Sequence, residues 1–131
     1  MATIVQTVGT ALGSKLVKDT LETSAQNVAP SSANVTSAAG DLLMIQIDNS
    51  ANSHEIYYKL ANATSTTIGT TEPNLKVRVP AGGSQSIVFA DANAQTGITF
   101  SSGFSQWVVK EADKTGTTGP DAAVVVYLLV A

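Results

Sequence analysis

Glu55-Ile56-Tyr57-Tyr58-Lys59-Leu60 and, further along the chain, Leu75-Lys76-Val77-Arg78-Val79 are the stretches that decide the fold class. In the first, Ile56, Tyr58 and Leu60 share one face, while Glu55, Tyr57 and Lys59 share the other. In the second, Leu75, Val77 and Val79 point inward, and Lys76 and Arg78 point to solvent or a partner. A period of two is the mark of a strand with one buried face. Working outward, Leu42-Leu43-Met44-Ile45-Gln46-Ile47 is a strongly apolar strand. It is closed by Asp48-Asn49-Ser50-Ala51-Asn52-Ser53, a cluster whose side chains bond local backbone and so make turns. Pro80-Ala81-Gly82-Gly83 is a tight turn in which glycine supplies positive φ. Strands are expected again over Ser84 to Phe89, Ile98 to Phe100 and Phe104 to Lys110, the last carrying the single tryptophan, Trp107.

Ala122 to Val130 is a nearly continuous apolar, β-branched run. It reads either as a central strand buried on both faces or as one whose outer face meets a neighbouring subunit. Alternating strands need a second sheet to cover their apolar sides. The expectation is an all-β protein: a β-sandwich, jelly-roll or Ig-like, of about seven to eight antiparallel strands.

Residues 1–40 differ in texture, being rich in Ala, Ser, Thr, Gly and Asn. Gly9 to Ser14 is turn-like, and Ser24 to Gly40 is small and polar around Pro30. Between them, Lys15 to Leu21 offers one or two helical turns, with Leu16, Val17 and Leu21 on one side. The zone reads as an N-terminal arm or linker (1–40) leading into a β-sandwich domain (41–131). The competing reading is a first strand plus linker packed on its own domain. Met1 to Gln6 lacks the charged start and apolar core of a signal peptide. No run approaches the roughly 20 apolar residues of a membrane-spanning helix, so no membrane partner is expected.

The chain has 131 residues and no cysteine, which removes thiolate chemistry and Cys-ligated zinc. Only 13% of residues are charged, against about 25% in an average domain. The net charge is −3 and no basic patch exists, so nucleic acid is not an expected partner. A surface this poor in charge reads either as one buried in protein–protein contacts or as simply that of a Thr-rich β protein, the first being favoured because interfaces are depleted in charge.

Catalytic patterns are sparse. The one histidine, His54, stands beside Glu55 at a turn, and no G-x-S-x-G elbow accompanies it. Asp48, Asn49 and Asn52 faintly suggest a calcium loop, but the D-x-[DN]-x-[DN]-G pattern is missing and turn formation suffices as an explanation. No spacing selects a facing pair of carboxylates, and no phosphate-binding glycine motif is present. The expectation is a non-enzymatic protein with no cofactor and no metal.

A resemblance adds to this reading. Ile56-Tyr57-Tyr58-Lys59-Leu60, then Thr67-Ile68-Gly69-Thr70, Glu72-Pro73 and Leu75 to Gly83, resemble a family of small phage and prophage proteins. That family runs Y-x-K-L-Y…T-x-G-T-x-x-P…L-x-V-x-V-P-A-G-G. Gly97 to Phe104 is similar to its G-[LI]-x-F-S-x-G-[LF] segment, and Val124 to Leu128 to its closing V-x-V-N-L-x-Y strand. The likeness spans residues 41–130. Asn62-Ala63-Thr64 and Glu111 to Pro120 depart from it.

The resemblance implies a bacteriophage virion component, foremost a capsid decoration (cement) protein. Such a protein would be made in the host cytoplasm and seated on the capsid exterior. Its implied partner is the major capsid protein, and it would act as a homo-oligomer, with a trimer suiting three-fold capsid sites. Ile4, Val5, Val8, Leu12, Leu16 and Val17 are then the expected anchors of the arm. Tyr57, Lys76, Arg78 and Trp107 are further interface candidates. Two other expectations stand beside it: a tail, neck or fibre-associated virion protein, and a carbohydrate-binding sandwich stacking sugars on Trp107 and Tyr57.

Overall fold

The computed structural model describes residues 3–8, 14–21, 40–63, 66–89 and 97–130. These form β1 (Thr3–Val8), β2 (Ser14–Leu21), β3 (Gly40–Asp48), β4 (Ile56–Asn62), β5 (Leu75–Val79), β6 (Ser84–Val88), β7 (Ile98–Phe100), β8 (Phe104–Val109) and β9 (Val124–Val130). They are arranged as two antiparallel sheets. The larger has six strands in the order β1-β2-β9-β3-β6, with β7 also paired to β3; the smaller runs β5-β4-β8.

The inward faces of the two sheets meet in one core. Leu42, Ile45, Ile47, Val124, Val126, Leu128 and Val130 come from the larger sheet. Ile56, Tyr58, Leu60, Val77, Val79, Phe104 and Val108 come from the smaller. The molecule is therefore the expected all-β sandwich. Each such side chain contributes roughly 1.5–3 kcal/mol on burial. An exposed ion pair such as Arg78–Glu55, at 2.6 Å, contributes about 0–1 kcal/mol. Apolar burial between the sheets thus holds the fold, and the surface charges are secondary. A polar couple between the sheets is matched: Tyr58 Oη donates to Gln106 Oε1 at 2.5 Å.

Close approach explains one glycine. A Cβ on Gly97 would lie 1.8 Å from the Leu42 carbonyl oxygen, so any side chain there would push β7 off β3. Gly82, at φ +66°, makes the turn from β5 to β6 as its sequence context indicates.

Three expectations are revised. Lys15 to Leu21 is not helical: it lies within β2, paired along its length with β9 from Lys15↔Val130 to Leu21↔Val124. Pairing with the apolar β9 outweighs a weak local helical preference. Residues 3–8 and 14–21 are consequently strands of the larger sheet and not an arm apart from it, which matches the competing reading for those stretches. With them the strands number nine among the described residues. Finally, β9 is not buried on both faces. Val124, Val126, Leu128 and Val130 are buried, while Val125, Tyr127 and Leu129 are only half-buried.

Candidate interaction surface

The sandwich has two outer faces, and the chain treats them differently. On the smaller sheet, the outward positions are Tyr57, Lys59 and Ala61 on β4, Lys76 and Arg78 on β5, and Ser105, Trp107 and Val109 on β8. Five of these, Lys59, Ala61, Ser105, Trp107 and Val109, are nonetheless buried. Segments 66–74 and 110–118 fold over them. Ile68 packs against Trp107, Ala61 and Val109. The Thr66 and Ser105 hydroxyls lie 3.0 Å apart. Lys110 N donates to Thr118 O at 2.8 Å, and Glu111 Oε2 accepts from Thr118 N at 3.2 Å, closing the second segment.

Two lysines of the sheet hold that second segment. Lys59 Nζ donates to the Asp113 carbonyl, and Lys76 Nζ donates to the Ala112 carbonyl at 3.0 Å. Burial holds the Lys59 amine below the ordinary lysine value. The like charge of Lys76, directly opposite it, adds to this, while Glu111, Asp113 and Glu72 pull the other way. A cleft of about 460 Å³ lined by Glu72, Lys76, Asp113 and Lys114 opens beside the segment.

The larger sheet presents a different face. Leu16 on β2 stands opposite Leu129 on β9; Leu129 stands opposite Met44 on β3; Met44 stands opposite Val88 on β6. These side chains form one apolar row across four strands. Leu16, Leu129 and Met44 are half-buried, and Val88 is 68% exposed. The next row is amphipathic: Lys18, Tyr127, Gln46 and Ser86, with Lys18 Nζ 5.7 Å from the centre of the Tyr127 ring. The third is Thr20, Val125, Asp48 and Ser84. The Asp48 carboxyl is held below its usual value by hydrogen bonds from Ser50.

The expected contact residues scatter over this frame. Leu16 joins the apolar row. Val17 sits in register between Val5 and Leu128. Ile4, Val5 and Val8 belong to β1, where the backbone pairing alone is described. Leu12 lies outside the described residues. Tyr57 is half-buried, its hydroxyl 3.4 Å from Glu55 Oε1. Lys76 and Arg78 are exposed on β5, Arg78 Nε bonding Glu55 Oε2 at 2.6 Å. Trp107 is fully buried, so it offers neither an interface nor a sugar platform at the surface. Its indole N–H has no acceptor among the described residues. Met44, Val88 and Leu129 were not singled out by sequence. For Leu129 the signal was the unbroken apolar character of the last strand, which placed apolar side chains on both of its faces; Met44 and Val88 had no comparable signal.

The Asp48–Ser53 cluster is a structural hub. Asn49 Nδ2 donates to the carbonyls of His54 and Pro80, each at 3.0 Å. Asn52 Nδ2 reaches Asn49 Oδ1 at 2.8 Å and Ala122 O at 2.9 Å, and Asn52 Oδ1 accepts from Ala122 N at 2.7 Å. Two buried amides thus tie together the turns at 49–54, 80–83 and 121–122. His54 joins them, its Nδ1 3.0 Å from the Glu55 carbonyl and its Nε2 accepting from the Asp121 amide at 3.2 Å. Among the described residues, no cluster of three or more metal-ligating side chains converges.

No protein-family model, curated protein or solved structure matches the chain.

Proposed function

We propose that this chain is a structural protein of a repeating assembly, and that it acts as a decoration protein on a phage capsid. The observation that carries this reading is the apolar row Leu16–Leu129–Met44–Val88 on the larger sheet. It is an outward, ordered stripe on rigid strands in a chain with few charges. Scattered exposed apolar residues are ordinary, but a contiguous apolar row across four strands, bordered on one side by the Lys18, Tyr127, Gln46 and Ser86 row, is the form of a contact surface. The sequence likeness to small phage proteins supplies the partner: the outer surface of the major capsid protein shell. On this reading the protein performs no chemistry. It adds contact area at each site, multiplied over many copies.

The test is stoichiometry. Quantified against the major capsid protein in purified particles, this chain is expected in near one-to-one proportion. A few copies per hundred would assign it to the tail or neck, and absence from particles would remove the virion reading.

A further inference from the structure

Among the described residues the sandwich has four strand edges, and three are protected. β5 carries Lys76 and Arg78, charges that oppose pairing with another chain. The β6/β7 edge is broken into strands of five and three residues. β8 is buried on all six of its residues. The fourth edge is β1, Thr3-Ile4-Val5-Gln6-Thr7-Val8, which pairs only with β2 among the described residues. It has no charge and no proline. Thr3, Ile4, Val5, Thr7 and Val8 are all β-branched, the composition that best supports a ladder. Nothing in this strand discourages further pairing, in contrast to the two cations on β5.

We propose that β1 is a self-association edge, pairing antiparallel with β1 of a second copy of this chain. A six-residue strand of near-uniform composition is its own complement under a two-fold axis. That axis stands normal to the sheet, so residues of one parity face each other. It therefore passes through Val5, opposing Ile4 to Gln6 of the other copy, or through Gln6, opposing Ile4 to Val8. The large sheet then runs unbroken across both copies, and its backbone donors and acceptors at β1 are satisfied. The unit is a two-fold pair in place of the trimer that the family likeness implies.

A normal axis also keeps the outer faces of both large sheets on one side. Their two apolar rows then address the same surface, so a pair grips it bivalently. This last consequence rests on the capsid reading; the pairing itself does not.

The chain contains no cysteine, so every disulfide in a variant comes from the introduced residue. Val5→Cys and Gln6→Cys variants of the full chain, mildly oxidised, are expected to yield a covalent dimer at whichever position the axis crosses. Gln85→Cys, on exposed β6, is the control and should lag at least tenfold. In parallel, sedimentation of the wild type should give a dimer, and Ile4→Lys/Gln6→Lys should shift it to a folded monomer, with its β-sheet circular dichroism retained. A monomeric wild type at high micromolar concentration would overturn the proposal. So would a dimer that withstands the two lysines, or cross-linking no faster than the control. Dimerisation without any capsid copies would leave this pairing standing and remove only the capsid reading.

Discussion

The two outer faces of the sandwich begin from similar alternating strands and end in opposite states. The smaller sheet has three strands, and the outward side chains of β8 with Lys59 and Ala61 of β4 are roofed by two segments of the same chain, leaving Trp107 and Lys59 without solvent contact. The larger sheet has six strands and keeps a row of four apolar residues in view. The contrast teaches that an outward apolar residue carries no functional meaning until the loops are placed. Trp107 looked like a contact residue and is internal packing. Leu129 lies in a run that read either as buried on both faces or as open on one, and it is half-buried on the outer face.

The sharpest way to break this contrast is Trp107→Ala. If the roofed face is true core, the variant loses about 3–5 kcal/mol, read from the urea midpoint. Trp107→Phe should lose about 1 kcal/mol or less, since it sheds an indole N–H that has no acceptor among the described residues. Equal losses would mean that the indole nitrogen is bonded. Next in size is Asn52→Ala, which strands the amide and carbonyl of Ala122 and removes a tie between turns. It should cost about 1–3 kcal/mol, measured the same way.

Lys59→Met tests the roof from its polar side. The folded chain holds the Lys59 amine below its ordinary value of 10.5, so the unfolded chain binds that proton more tightly. Stability is therefore lower while the amine is charged and rises as pH climbs from the folded value toward 10.5. Lys59→Met should flatten that alkaline rise while changing stability at neutral pH by about 1 kcal/mol or less. An unchanged rise would mean that another group titrates. The smallest expected effect on folding belongs to the open face. Val88→Ser should shift stability by about 0.5 kcal/mol or less; on the capsid proposal it should also weaken attachment to purified capsids severalfold in a co-sedimentation assay.

How far the sequence could see follows from the same physics. Strands β3, β4, β5 and β8 were legible because alternation or apolar runs mark half-buried and buried strands directly. The turn at Asp48–Ser53 was legible because Asn and Asp chemistry is local, although its reach to Ala122 was not. β2 was misread as helical because Leu16, Val17 and Leu21 gather on one side of a helix but split between the two faces of a strand, so no period of two marked it; its state is set by β9, more than a hundred residues away along the chain. Lys59 was assigned to an outer face correctly. Its burial depends on segment 110–118 folding back over that face, which no local pattern encodes. The open apolar row depends on register between four strands, and register is a property of the assembled sheet.

The position of β9 also bears on the order of events during synthesis. Strands β2 and β3 do not pair with each other; each pairs with β9, which is made after both. Until β9 emerges, the β1–β2 ribbon has no partner in the larger sheet, and one side of β3 waits open. The newborn chain therefore carries the β9-facing edges of β2 and β3 unpaired until β9 has emerged. Its folding rate is governed by a late, long-range closure, and the interval before that closure is when aggregation or capture by a chaperone competes with folding.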